Sequence, residues 1–171
     1  GLHRGFSLKS LQEAALHLQG APGRLEKVSD QIFVDHAHMG FSLAEALKAL
    51  KALEPKRLWV VFGAGGDRDL SRRHQMAEAA EAWADAIVVT TDNPRSEAPE
   101  EICRQTLLGF QDLKKVHVEL DRKAAIFYAI SSLKEGDLLL IAGKGHEKTQ
   151  IFAHKTIAFD DVEVAREALR V

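Results

Sequence analysis

Short runs of Val, Ile and Leu recur along the chain without alternating with polar residues. The clearest are Leu58–Gly63, Ala86–Thr91 and Asp137–Gly143. A strand that exposes one face to water alternates apolar and polar side chains, so an unbroken apolar run indicates a strand buried on both faces. Stretches with the apolar spacing of helices lie between these runs. The pattern predicts an α/β fold, in which right-handed helical crossovers join parallel strands.

The predicted strands are Gln31–Asp35, Leu58–Gly63, Ala86–Thr91, Val116–Leu120, Asp137–Gly143 and Lys155–Phe159. The predicted helices are Ser7–Leu18, Leu43–Ala52, Arg72–Ala84, Pro99–Leu108, Arg122–Leu133 and Asp161–Leu169. This order predicts a Rossmann-like, doubly wound, mostly parallel sheet flanked by helices. Such sheets bind ligands beyond the carboxyl ends of their strands, so the loops after the strands are where function should be sought.

The segment Gly20–Gly23 interrupts the chain after the first predicted helix, because Pro22 cannot continue a helix. We therefore expect a boundary here, with residues 1–20 belonging to a separate piece and residues 21–171 forming the α/β domain. The sequence begins with Gly1 rather than Met, and we expect it to be part of a longer protein. No apolar stretch follows the basic residue Arg4, so a secretory signal is not expected.

Composition excludes several classes of function. The 23 basic and 25 acidic residues give a net charge of −2, which argues against a broad nucleic-acid surface. The single cysteine, Cys103, excludes an internal disulfide and a cysteine-based zinc site, and it fits a reducing, cytoplasmic setting. The apolar runs are far shorter than the ~20 residues of a membrane-spanning helix, so no membrane association is expected.

A glycine-rich loop, Phe62–Asp69, follows the second predicted strand. Its glycine spacing does not match G-x-G-x-x-G, and no Gly-Lys-Ser/Thr follows, so it is neither a dinucleotide fingerprint nor a P-loop. A turn between strand and helix is one explanation of the glycines. The other is a ligand site, because glycines let the backbone approach a ligand and Arg68 offers a planar fork to a carboxylate or phosphate.

A polar loop, Thr90–Glu97, follows the third predicted strand. Asp92-Asn93-Pro94 favours a turn, and Ser96 is suited to cap the next helix. Neither explains Arg95, because a cation beside a helix N-terminus opposes the helix dipole unless an anion lies there. We therefore expect an anionic group near Arg95.

Charged residues also follow the strand Asp137–Gly143. Lys144 lies between Gly143 and Gly145, with Glu147 close behind. A solvated loop remains the alternative, but this is another strand end that combines glycine with charge, which favours a functional role.

The first predicted strand ends at Asp35, and His36 and His38 follow it. An acidic residue at a strand end commonly binds ribose hydroxyls in nucleotide-binding α/β folds. Two histidines without a third ligand are a weak signal for a metal, so no metal site is expected.

Six stretches occur in the order found in the Mur ligase family and span nearly the whole chain. They are Ala21–Glu26, Val34–His38, Phe62–Asp69, Asp92–Glu97, Ala142–Glu147 and Phe159–Asp161. On these stretches the chain resembles the carboxyl-terminal part of a Mur ligase, and in particular the branch that adds diaminopimelate.

The resemblance implies a cytoplasmic, monomeric ligase of peptidoglycan synthesis. In this family one domain binds the UDP-muramyl substrate, a central domain uses ATP and Mg²⁺, and a third, Rossmann-like domain binds the incoming amino acid. Residues 1–20 resemble the end of the central domain, and residues 21–171 resemble the third. The chain alone is then expected to be inactive, with no catalytic residue of its own. Its implied partners are meso-diaminopimelate, UDP-MurNAc-L-Ala-D-Glu and the other domains.

The family phosphorylates a substrate carboxylate with ATP, and the amine of the amino acid then attacks the acyl phosphate. By resemblance, the amino-acid-binding residues are Arg68, Asp92, Asn93, Pro94, Arg95, Gly143 and Glu147. Within this set, Arg95 would hold the distal carboxylate and Glu147 the distal ammonium. The nucleotide-binding residues implied for the phosphates, the ribose and the adenine region are Arg24, Asp35 and His38 respectively.

The sequence departs from the family pattern at His36, which is usually Tyr, at Met39–Phe41, which is usually Thr-Pro-Asp, and at Leu70–His74. Two alternatives remain open, a ligase that adds L-lysine and a non-catalytic α/β module that binds an amino acid or a peptidoglycan precursor. Arg95 counts against lysine, which has no distal carboxylate.

Overall fold

The computed structural model describes residues 21–171. The predicted helix Ser7–Leu18 and the predicted first piece, residues 1–20, lie outside the described residues, so the division between residues 20 and 21 stays a prediction. The strands are β1 (Glu26–Lys27), β2 (Ile32–Asp35), β3 (Leu58–Ala64), β4 (Ala86–Thr91), β5 (Val116–Val118), β6 (Leu138–Ala142), β7 (Thr149–Ile151) and β8 (Thr156–Ala158). The helices are α1 (Gly40–Lys51), α2 (Leu70–Trp83), α3 (Pro99–Leu107), α4 (Arg122–Ser132) and α5 (Asp161–Ala168).

The main sheet has the order β1-β2-β6-β3-β4-β5, and every pairing except β1–β2 is parallel. The prediction of a mostly parallel α/β sheet is therefore confirmed. The chain moves outward from β3 through β4 to β5 and then returns to β6 on the other side of β3. This reversal places a topological switch point between β3 and β6, where doubly wound sheets bind their ligands.

Two short strands, β1 and β7, were not predicted from the sequence. β1 pairs antiparallel with β2, and its two residues are too few to show a hydrophobic period. The predicted strand Lys155–Phe159 is present as β8, but it pairs antiparallel with β7 in a separate hairpin. β8 therefore contributes no strand to the main sheet, and all of its residues are exposed.

The central strands are buried on both faces, as their apolar runs predict. Val60 and Phe62 pack into the core beneath α1–α3, whereas Trp59 and Val61 pack into the core beneath α4 and α5. Full burial of side chains of this size stabilises the fold by roughly 1.5–3 kcal/mol each. The sheet thus becomes a rigid layer that holds the loops at its carboxyl edge.

Aspartates cap most of the helices that begin at this edge. The side chains of Asp69, Asp121 and Asp160 accept backbone N–H groups in the first turns of α2, α4 and α5. The prediction that Ser96 caps the next helix was wrong, because α3 begins at Pro99 with Ala98 as an uncapped N-cap residue. The Ser96 hydroxyl instead donates to Asp67 in the loop after β3.

Cys103 lies in α3 and is buried against β4, with its sulfur 3.8 Å from the Thr90 carbonyl oxygen. Burial raises the pKa of this thiol to about 11. The group is therefore a packed, protonated thiol.

No helix within residues 21–171 combines the length and apolar content that crossing a bilayer requires.

Candidate functional site

A cleft of about 430 Å³ opens at the carboxyl edge of the sheet, beside the switch point. The loops after β2, β3, β4 and β6 all contribute to its lining. Among the lining residues are most of the predicted amino-acid-binding set, namely Arg68, Asp92, Asn93, Arg95, Gly143 and Glu147. Pro94 is the exception, since it lines a smaller cavity beside the β7–β8 hairpin. The fold thus brings these six predicted residues from three of the four loops into one cavity.

Asp92 lies at the floor of the cleft, directly after β4. Its Oδ2 is buried and has no hydrogen-bond partner among the described residues. A Cβ atom added to Gly143 would lie 2.7 Å from that oxygen, and Gly143 has a φ of +118°, so only glycine fits there. Burial raises the pKa of Asp92, although the charges of Arg122 and Lys144 oppose the shift. An unpartnered buried carboxyl oxygen is suited to a ligand that brings a positive charge.

Asn93 joins the loop after β4 to the loop after β6. Its Oδ1 accepts from Lys144 Nζ at 2.9 Å and from the backbone N–H of Ile151 at 3.0 Å. Its Nδ2 donates to Glu147 Oε2 at 2.9 Å. The Asn93 side chain is therefore occupied by protein contacts and connects Lys144, Glu147 and the β7–β8 hairpin.

Glu147 presents a carboxylate at the side of the cleft. Burial acts to raise its pKa, but the hydrogen bond from Asn93 and the charge of Lys144 outweigh it, so the pKa lies below its usual value. The group is consequently ionised at neutral pH. Lys144 itself is fully buried and does not line the cleft. The functional role that the sequence predicts for Lys144 would therefore have to be exerted through the residues that it contacts.

Arg95 also lines the cleft and has an unusual backbone conformation, with a φ of +53°. Its N–H donates to the Ile151 carbonyl oxygen at 3.0 Å, and its Nη1 donates to the Gly66 carbonyl oxygen at 2.7 Å. These bonds hold the guanidinium against the loop after β3. No carboxylate of the described residues forms an ion pair with it, which leaves the charge available to an anionic ligand.

The glycine-rich loop owes its glycines to contact with the loop after β4. A Cβ atom at Gly66 would lie 1.9 Å from the Pro94 carbonyl oxygen, and one at Gly63 would lie 2.5 Å from the Thr90 carbonyl oxygen. The Gly66 N–H also donates to the Asn93 carbonyl oxygen at 2.9 Å. These glycines therefore leave room for the backbone of β4 and of the loop that follows it.

Two arginines that the sequence analysis did not assign to the site, Arg72 and Arg73, also line the cleft. Arg73 is buried, and its Nη2 lies 2.7 and 2.9 Å from the two carboxylate oxygens of Glu97. Arg72 is half-buried. Both lie in the first turn of α2, where a cation opposes the helix dipole. A cation at this place indicates a nearby anion, which Glu97 supplies for Arg73.

The predicted nucleotide-binding residues do not come together in the cleft. His38 lines it, whereas Asp35 and Arg24 do not. Asp35 ends β2 and accepts the backbone N–H of Leu25 through Oδ2 at 2.7 Å, and Arg24 is exposed on the loop before β1. Their assignment to a nucleotide stays a prediction.

A group of histidine rings lies beside the cleft. The ring of His36 is 4.6 Å from that of His38 and 5.0 Å from that of His146, measured between centroids. Within residues 21–171, no set of three or more His, Cys, Asp or Glu side chains is arranged to hold a metal ion.

The cleft is lined by charges of both signs. Arginines come from the loops after β3 and β4 and from the first turn of α2, and carboxyl groups come from Asp92 after β4 and Glu147 after β6. A ligand that carries a carboxylate and an ammonium group at one end fits this layout, because an arginine fork pairs with the first and a carboxylate with the second.

We expect the free energy of unfolding of Asp92→Asn, relative to that of the wild type, to increase as the pH rises. The raised pKa of Asp92 means that folding favours its protonated form. The stability that this group provides is complete below the unfolded-state pKa of about 3.9 and is lost as the pH rises through the higher folded-state value. Urea unfolding of both proteins between about pH 3 and pH 7 measures the difference.

Asp69→Asn is the matched control for that experiment. The hydrogen bond from the backbone N–H of Ser71 is the main cause that lowers the pKa of Asp69. Any excess stability of the wild type over Asp69→Asn should therefore be lost as the pH falls. An advantage of Asp92→Asn that stays constant or shrinks towards neutral pH would contradict the burial of an ionisable Asp92.

Comparison with known proteins identifies the family of this chain. The family model for the Mur ligase, glutamate ligase domain, matches residues 23–145. The chain is 47% identical over 172 residues to the UDP-N-acetylmuramoyl-L-alanyl-D-glutamate–2,6-diaminopimelate ligase of Chlamydia caviae, an alignment that covers 98% of this chain and 35% of the relative. Its identity to the ligase of the same name from Geobacillus kaustophilus is 45%, with coverages of 99% and 36%.

A solved structure of a UDP-N-acetylmuramoyl-L-alanyl-D-glutamate–2,6-diaminopimelate ligase superposes with a TM-score of 0.83 at 39% identity, covering 98% of this chain and 35% of that one. The chain thus spans about a third of the length of these relatives. The matching domain model, the shared fold and the residues gathered in the cleft lead to one assignment: this chain belongs to the Mur ligase family.

Proposed function

We propose that the chain is the amino-acid-binding domain of an ATP-dependent ligase that adds meso-diaminopimelate to UDP-MurNAc-L-Ala-D-Glu. The observation that carries the proposal is the set of charges that line the cleft, with the guanidinium of Arg95 and the carboxyl groups of Asp92 and Glu147 in one cavity. This layout matches the distal end of diaminopimelate, which bears one carboxylate and one ammonium. The names of the relatives from Chlamydia caviae and Geobacillus kaustophilus support the same substrate.

The residues of the cleft would act by binding and orientation. Arg95, with Arg68 at the exposed rim, holds the distal carboxylate, and Glu147 and the unpartnered Oδ2 of Asp92 receive the distal ammonium. Binding one end of the amino acid leaves the amine of the other end to attack an acyl phosphate. Holding that amine in a productive geometry removes much of the entropic cost of the reaction.

The reacting groups would come from the rest of the enzyme. This sequence contains no Gly-Lys-Ser/Thr P-loop, so ATP and Mg²⁺ would be held mainly by another domain of a cytoplasmic enzyme. Arg24, Asp35 and His38 are the residues of this chain that we propose for the nucleotide side. Asp35 accepts the Leu25 N–H through Oδ2, which leaves Oδ1 for a ribose hydroxyl.

The test is the ligation rate of the full-length enzyme with meso-diaminopimelate and with L-lysine, measured by ADP release in the presence of UDP-MurNAc-L-Ala-D-Glu. We expect kcat/KM to favour diaminopimelate by at least about 100-fold, because lysine leaves the cations of the cleft unpaired. Equal rates, or a preference for lysine, would overturn the assignment. If neither amino acid supports ADP release but the 171-residue chain binds diaminopimelate in calorimetry, a non-catalytic binding module is the better description.

A further inference from the structure

Lys144 is the most deeply buried cation in the loop after β6. Its side chain has no exposed surface, and the flanking Gly143 and Gly145 both have positive φ angles, at +118° and +54°. Such angles favour glycine and turn the chain sharply on both sides of the lysine. An ammonium group removed from water requires polar partners, and its partners indicate what it does.

Nζ of Lys144 contacts two side chains of the cleft. It lies 2.9 Å from Asn93 Oδ1 and 3.3 Å from Glu147 Oε2. Because an ammonium group only donates, the Asn93 atom that faces it must be the oxygen. The backbone N–H of Ile151 donates to the same oxygen and supports this orientation.

The orientation of Asn93 determines what Glu147 can offer to a ligand. With Oδ1 directed towards Lys144, the Nδ2 group of Asn93 donates to Glu147 Oε2. Oε2 therefore receives two donors from the protein, one from Asn93 and one from Lys144. The other carboxylate oxygen, Oε1, has no hydrogen bond among the described residues and remains for a ligand.

We infer that Lys144 is a positioning residue for substrate specificity: it acts through Asn93 and Glu147 to hold the Glu147 carboxylate so that one of its oxygens is left for the distal ammonium of the amino acid. It does so without touching the ligand, since it does not line the cleft. The inference rests on the proposed function, because it assigns the ammonium to the substrate proposed above.

The substrate analogue L-2-aminopimelate separates this role from a structural one. It keeps both carboxylates and the reacting amine of diaminopimelate but lacks the distal ammonium. In the full-length enzyme, Lys144→Met should lower kcat/KM for meso-diaminopimelate by at least about tenfold, mainly through KM, because Glu147 loses its alignment and its cation. The same variant should change kcat/KM for L-2-aminopimelate by less than about twofold, and the KM for ATP should not move.

Two further variants complete the test. In a Glu147→Gln background, Lys144→Met should cause no additional loss of preference for diaminopimelate, since the two residues act as a unit. Lys144→Gln, which keeps a donor without the charge, replaces Lys144→Met if thermal unfolding shows that the latter does not fold.

The outcomes distinguish the two proposals. If the wild type prefers diaminopimelate over L-2-aminopimelate and a folded Lys144 variant keeps that preference, the positioning role is wrong and the proposed function stands. Equal losses with both amino acids would also overturn it, because a general packing defect has no reason to discriminate between them. If the wild type itself uses neither amino acid, the proposed function fails first.

Discussion

Arg95→Ala in the full-length enzyme should lower kcat/KM for meso-diaminopimelate by roughly 30- to 5,000-fold. The guanidinium lies at the cleft wall with no carboxylate partner among the described residues, and its Nη1 is held by the Gly66 carbonyl oxygen. Removing one partner of a desolvated charge pair costs about 2–5 kcal/mol, which corresponds to this range. Steady-state kinetics with diaminopimelate as the varied substrate measures the loss.

The same substitution should change the ranking of substrates. L-lysine has no distal carboxylate, so its already low kcat/KM should change far less than that of diaminopimelate, and the KM for ATP should stay the same. Arg95→Lys should recover only part of the activity, because an ammonium group cannot form the bidentate pair. Parallel losses for diaminopimelate and lysine would instead show that Arg95 serves only to join the loops after β3 and β4.

Arg122→Met should destabilise the folded chain by about 3–5 kcal/mol. Arg122 forms a bidentate ion pair with Asp161, at 2.8 Å from Nε to Oδ1 and 2.7 Å from Nη2 to Oδ2, and neither side chain is exposed. Its Nη2 also donates to the Ala142 carbonyl oxygen at 2.9 Å. Removing the guanidinium leaves the Asp161 carboxylate buried without its cation. Urea unfolding followed by fluorescence of the tryptophans measures the change.

The size of this effect should depend on burial rather than on the presence of an ion pair. Arg104→Met is the matched control, because Arg104 pairs with Glu101 on the surface of α3 with 61% and 43% of the two side chains exposed. Exposed pairs contribute about 0–1 kcal/mol. The double variant Arg122→Met/Asp161→Leu should regain most of the lost stability, because no buried charge is left unpaired. A similar loss in Arg122→Met and Arg104→Met would contradict this explanation.

The position of Arg122 connects this stability to the site. The residue begins α4, its partner Asp161 begins α5, and its carbonyl contacts lie at the ends of β4 and β6. These strand ends lead directly into Asp92 and Gly143. The charge of Arg122 also lowers the pKa of Asp92 against the larger effect of burial. We therefore expect loss of Arg122 to loosen the floor of the cleft as well as the core.

Much of the fold could be predicted because its signals are local. The apolar runs identified β3, β4 and β6 as strands buried on both faces, and the helical periods between them indicated the crossovers. The loops that carry Arg68, Arg95 and Glu147 were recognised by charge placed at strand ends. The two-residue β1 and the β7–β8 hairpin were missed as parts of the architecture, because strands this short have too few residues to show a pattern.

By itself, the sequence determined the α/β class, the edge of the sheet that carries the site, and an unexplained cation at Arg95. It could do so because side-chain period and loop composition are read along the chain. Only the tertiary structure decided that the Pro94 backbone packs against Gly66, where a side chain would not fit. It also decided that Asn93 forms hydrogen bonds with Lys144, Glu147 and Ile151, and that one buried oxygen of Asp92 has no partner among the described residues. These are contacts between residues up to 58 positions apart. They depend on which strands become neighbours in the sheet, and no local pattern records that order.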